Sequence, residues 1–156
     1  MKKIILAAAL VLGFAAAATA QPKAIGIRIG NGGEISYQHS MGGNFIEVDG
    51  GFGLGLNGRT NIMAAGIYNF LIAQPSWTDR GEWGIYAGPG AALGYGADIR
   101  TGKYSFDIAA IGQAGVEYTF WFPLQLSLDL KPTLGFGFNH GFHWGVMPAF
   151  GVRYRF

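Results

Sequence analysis

Two histidines stand three residues apart in the stretch Asn139-His140-Gly141-Phe142-His143-Trp144. Imidazoles at that spacing suit a divalent ion such as Zn²⁺, but a zinc site needs at least a third ligand. None accompanies them, and the stretch reads as a connection carrying surface histidines. A second pair, His39-Ser40, with Glu34 or Glu47 close in sequence, has the residue types of a serine hydrolase dyad. Neighbours on a strand point to opposite faces, which would part these two side chains. The glycines around Gly88-Pro89-Gly90 follow a period of two and precede no predicted helix, so they do not form a phosphate loop. The chain has no cysteine, hence no disulfide, thiolate nucleophile or lipid-modified cysteine.

The densest chemistry lies in Arg28, Glu47, Asp49, Gln113, Glu117, Asp129, Lys131, Arg153 and Arg155, each in phase within an alternating segment. Both signs occur at similar depths. Buried charge must be paired or it is costly, so these residues are expected to form an enclosed network of ion pairs and hydrogen bonds. Counting along hairpins places Asp129 near Arg153 or Arg155, and Arg28 within two strands of Glu47 and Asp49. No catalytic residue, cofactor or metal is assigned.

The segments that must position these groups alternate apolar and polar residues, the pattern of strands. Eight can be counted: Ala24 to Gly30, Glu34 to His39, Phe45 to Leu54, Ile62 to Ile72, Trp83 to Tyr95, Tyr104 to Phe120, Leu124 to Phe138 and Gly145 to Phe156. Expected connections are Asn31-Gly32-Gly33, Ser40 to Gly43, Gly55 to Thr60, Ala73 to Glu82, Gly96 to Lys103, Trp121-Phe122-Pro123 and Asn139 to Trp144. The seventh segment is the clearest, with Leu124, Leu126, Leu128 and Leu130 on one face and Gln125, Ser127, Asp129 and Lys131 on the other. In the fourth both faces are apolar or small, and Tyr68, Phe70 and Ile72 are taken as outward.

Ahead of the strands, residues 1–20 have the form of a cleavable signal peptide: Lys2 and Lys3, an apolar core from Ile4 to Ala18, and the small-x-small pattern Ala18-Thr19-Ala20. The domain is then 21–156. Without Lys2 and Lys3 the eleven basic residues fall to the number of acidic ones, nine, and no basic patch argues for nucleic acid. Only 13% of residues are charged, against about 25% in soluble domains. After residue 20 no apolar run reaches the 18 or more residues of a membrane helix.

A soluble barrel and a membrane barrel share this alternation and invert its facing. Here the charged face is sparse and rich in glycine, while the other is large and aromatic. Small residues suit the crowded inside of a narrow barrel, and leucine rows suit acyl chains. Turning the seventh strand over would put Asp129 and Lys131 in lipid, where a Lys costs roughly 2–4 kcal/mol near the midplane. Aromatics gather at both ends as expected of two interfacial girdles. Phe70, Trp83, Phe120, Trp121, Tyr154 and Phe156 mark one end; Phe52, Tyr95, Tyr104, Phe138, Phe142 and Trp144 mark the other. The expected fold is therefore an all-β, eight-stranded, antiparallel up-and-down transmembrane barrel.

The chain resembles the small eight-stranded outer-membrane proteins of Gram-negative bacteria, the OmpA/OmpX-like barrels. The most specific point of resemblance is Phe150-Gly151-Val152-Arg153-Tyr154-Arg155-Phe156. In that family such an ending, through Phe150, Val152, Tyr154 and Phe156, looks like the signal read by the barrel-assembly machinery. The stretch Trp83-Gly84-Ile85-Tyr86-Ala87-Gly88-Pro89-Gly90 also looks like a strand of that family. The resemblance implies the outer membrane after export through the periplasm, with lipids and the assembly machinery as partners. The expected connections are short, unlike those of adhesive members. The function expected is structural or interactive, with a lumen filled by polar side chains and a surface partner left open. Two alternatives stand beside it: a narrow pore for small solutes, and a lipid-modifying enzyme such as a lipid A acyl hydrolase or acyltransferase.

Overall fold

Alternation over most of the chain leaves each hairpin one arrangement that keeps the charged face on one side. The computed structural model describes residues 23–30, 32–54, 59–98, 101–139 and 141–156. The predicted signal peptide, Asn31, residues 55–58 and His140 lie outside the described residues.

Eight antiparallel strands follow in order: β1 (Lys23–Ile29), β2 (Gly32–Met41), β3 (Asn44–Leu54), β4 (Arg59–Ala73), β5 (Glu82–Asp98), β6 (Tyr104–Thr119), β7 (Leu124–Gly137) and β8 (Gly141–Arg155). Each pairs with its sequence neighbours, and β1 pairs with β8, so the hydrogen bonding closes into a ring. The register runs from Arg28 through Glu34, Gly51, Met63, Gly94, Asp107 and Gly137 to Gly141 of β8, yet Arg28 itself faces Gly151. Closure thus shifts the ladder by ten residues, from Gly141 to Gly151. For eight strands that shear implies a tilt of about 40° and a backbone radius of about 8 Å. A cylinder this narrow has room inside for side chains and little else.

Several strands run further than the sequence reading placed them. Ser40 belongs to β2, Arg59 and Thr60 to β4, Gly96 to β5, and Phe142 to Trp144 to β8. Turn-forming residues there do not end the ladder, because every further antiparallel pair satisfies more peptide groups. Phe142 opposite Phe136 and Trp144 opposite Leu134 also extend the apolar outer face. The β2–β3 turn is shorter than expected and uses Gly42 and Gly43, at φ 61° and 104°, where a Cβ would be strained. Two prolines interrupt the ladders. The β4–β5 register skips from Ile67–Gly90 to Phe70–Ala87 around Pro89, and the β6–β7 register skips from Ile111–Thr133 to Ala114–Leu130 around Pro132. Proline brings no N–H to either ladder.

The faces are divided as the alternation demands. In β4, Phe70 and Ile72 are exposed while Ile67 and Asn69 are buried. Among the described residues the interior holds one small apolar cluster, Ala65, Ile67 and Ile111, with Ala92 and Ala109 against it. Most of what is buried beside it is polar.

Candidate functional site

Arg28 is the hub of the interior, and its side chain is fully buried. It stands on β1 opposite Gly151 of β8. With no side chain there, the guanidinium reaches past β8 to β7. Its Nη2 donates to Asp129, and its Nη1 donates to Asp49 at 2.7 Å and Glu34 at 3.0 Å. Glu47 Oε1 is 3.3 Å from the same Nη1. Lys131 donates to Asp49 and, at 3.3 Å, to Glu34. Arg153 completes the cations: its Nη2 lies 3.1 Å from Glu47 Oε1, its Nε donates to Ser36 at 3.0 Å and its Nη1 to Ser127 at 2.8 Å.

Amides and a phenol add further bonds. Glu47 accepts from Gln38 at 2.8 Å and Gln113 at 3.2 Å, and Gln113 in turn accepts from Asn69 at 3.0 Å. The Tyr86 hydroxyl donates to Asp129 at 3.1 Å. Nearer the Gly42–Gly43 end, Gln125 donates to Glu117 at 2.6 Å and Arg155 to Thr119 at 3.2 Å. Glycines make the room. A Cβ at Gly115 would sit 2.8 Å from the Tyr86 ring, and one at Gly151 would sit 3.0 Å from Arg153 Nη1.

The structure thus joins Arg28, Glu47, Asp49, Gln113, Asp129, Lys131 and Arg153 in one network, with Glu117 and Arg155 beside it. Asp129 meets Arg28 rather than the expected Arg153 or Arg155. Arg153 turns to Glu47 instead, because long guanidinium arms cross a narrow cylinder and ignore hairpin adjacency. Glu34, Ser36, Gln38, Asn69, Tyr86, Gln125 and Ser127 are further members. Their positions in phase with the charged residues were the available signal.

The other candidates are not brought together. Ser40 lines a recess of about 330 Å³ at the Gly42–Gly43 end, with Asn44, Glu82, Glu117, Thr119 and Arg155. His39 lies on the opposite face and stacks on Tyr37 at 6.4 Å. Glu34 and Glu47 are engaged in the ion network, so no hydrolase dyad forms. His143 lies on β8 rather than in a connection, facing inward opposite Gly135. Among the described residues no group of three or more His, Cys, Asp or Glu is arranged to hold a metal. At two of the fifth-strand glycines a Cβ would meet interior neighbours: Ile67 at Gly90, and Glu117 and Leu71 at Gly84.

Comparisons with protein-family models, curated proteins and solved structures gave no match.

Proposed function

We propose that the chain is an integral outer-membrane β-barrel of OmpA/OmpX-like type, with a structural or interaction role and a lumen closed by polar side chains. One observation carries this reading: the chain is polar inside and apolar outside. Arg28 and Glu47 are 0% exposed and Arg153 1%, while Ile62 is 72% and Trp144 76% exposed. In water such an exterior would far exceed the few hundred Å² of apolar patch that soluble monomers usually show. In a bilayer it is the solvated surface, and a ring of strands keeps its peptide groups bonded there.

The aromatic ends support the same reading. Trp77 and Trp83 lie 5.2 Å apart, Trp83 and Tyr118 4.8 Å, and the Arg80 guanidinium sits 5.9 Å over Trp121. At the other end Tyr95 stacks on Tyr104 at 5.8 Å. Rings with polar rims suit the two interfaces. The start of β1 and the end of β8, where Ala24 pairs with Arg155, share the first end, which the family resemblance assigns to the periplasm. The ion network favours a plug over a pore, since its members are buried and hold one another across the interior.

The test is twofold. A detergent gel should show heat-modifiable migration, and planar bilayers containing the folded protein should show no discrete conductance. Unaltered mobility would remove the barrel reading, and discrete conductance steps would replace the plug with a pore.

A further inference from the structure

The polar interior does not end at the ion network. Beside it, at the Gly42–Gly43 end, opens the recess of about 330 Å³, the size of a small-molecule site. Its lining mixes signs. Glu117 and Arg155 bring opposite charges, Ser40 and Thr119 bring hydroxyls, and Phe45 and Leu71 form an apolar side. Phe45 is buried and meets the Tyr86 ring edge-on at 5.2 Å. Glu82 also lines the recess but is exposed, so water screens its charge.

The two inner charges are oriented by neutral partners. Glu117 Oε2 accepts from Gln125 at 2.6 Å, and Arg155 Nη1 donates to Thr119 at 3.2 Å. The other carboxylate oxygen of Glu117, Oε1, lies beside a position without a side chain. Gly84 stands opposite Glu117 on β5, and a Cβ there would lie 3.1 Å from Oε1 and 3.0 Å from Cγ. Any other residue at 84 would crowd this oxygen, whereas glycine leaves it beside the recess that both residues line. Spacing then selects the ligand. Glu117 and Thr119 are two residues apart on one face of β6, a rise of about 7 Å. The carboxylate and the guanidinium held by Thr119 are staggered to match. A lone cation would gain Glu117 and meet Arg155, and a lone anion the reverse. Two charge-assisted hydrogen bonds of about 2.8 Å each, with the short ammonium-to-carboxylate separation of an α-amino acid between them, bridge such a gap.

We infer that the recess binds a free α-amino acid as its zwitterion. The ammonium donates to Glu117 Oε1, the carboxylate accepts from Arg155, and an apolar side chain lies against Phe45 and Leu71. The inference rests on the recess and not on contact between the exterior and lipid.

The test titrates L-leucine into the folded full chain in detergent micelles and follows ¹H–¹⁵N resonances. The backbone amides of Gly84 and Thr119 and the Arg155 Nε–H should shift saturably, while the amide of Gly66 on the outer wall stays in place. N-acetyl-leucine lacks the ammonium and leucinamide lacks the carboxylate. Each should bind about tenfold more weakly or worse, as the loss of a charged hydrogen bond implies. Glu117→Gln keeps an acceptor for Gln125 and removes the charge, and Gly84→Ala sets a methyl group beside Oε1; both should weaken leucine by a similar factor. Gly66→Ala, with open space around it, should bind as the unaltered chain does. Unmoved recess resonances would overturn the inference, as would equal binding of leucine and either blocked analogue; neither result depends on a variant folding. Unchanged leucine affinity in Glu117→Gln would overturn it too. None of these outcomes touches the membrane reading, which heat-modifiable migration tests separately.

Discussion

Replacing Arg28 by Met keeps the length of the side chain and removes its charge. Around it the network formally sets Arg28, Lys131 and Arg153 against Glu34, Glu47, Asp49 and Asp129. The substitution leaves two cations for four carboxylates. They are not equally harmed: Lys131 still holds Glu34 and Asp49, and Arg153 still holds Glu47. Asp129 loses its guanidinium and keeps the Tyr86 hydroxyl. Stranding one member of a buried pair costs about 3–5 kcal/mol, so Arg28→Met should destabilise by that amount. Asp129→Asn alone restores an equal count of cations and anions and still offers Tyr86 an acceptor, so it should cost less. Placed on the Arg28→Met background it removes the most exposed deficit and should recover about 1–3 kcal/mol. Urea unfolding in phospholipid vesicles, followed by tryptophan fluorescence and gel mobility, measures all three variants. A cost below about 1 kcal/mol for Arg28→Met would refute the argument, and so would additive losses in the double variant.

Two further outcomes are expected. Leu128, 58% exposed on the outer face, should cost about 2–4 kcal/mol as Leu128→Lys in vesicles, against about 0.5 kcal/mol or less for a surface position in water; a change in the lower range would contradict lipid contact. Gly26→Ala drives a Cβ into the backbone of β8 at Val152 and Arg153 and should cost about 1–3 kcal/mol, whereas Gly66→Ala, with open space around it, should be neutral or slightly stabilising in the same unfolding assay.

How much of this could be read in advance differs by level. Facing was legible wherever one face carried charge. The alternation of β7 fixes Asp129 and Lys131 inside, and the aromatics of β4 suffice to turn Phe70 and Ile72 outward. Strand ends were less legible, because glycine and asparagine mark where a chain is free to turn, not where its ladder must stop. Residues 96–98 and 142–144 show this: both continue pairing through sequence that suits a loop. The partners within the network were the least legible. They depend on a shear of ten residues and on arms long enough to pass over Gly151, and neither is a property of any one segment. Hairpin adjacency therefore set Asp129 beside Arg153 or Arg155, whereas the ion pairs run from Arg28 to Asp129 and from Arg153 to Glu47.

The seam between the first and last strands bears on how the molecule is finished. Once Ala24–Ile29 has docked, the backbone of Phe150–Arg155 is engaged on both flanks, by β1 and by β7. A factor that recognises this terminal strand by adding a strand to it has access only while the cylinder stands open. Closure by β1 and strand addition by any other chain at Phe150–Arg155 are therefore mutually exclusive.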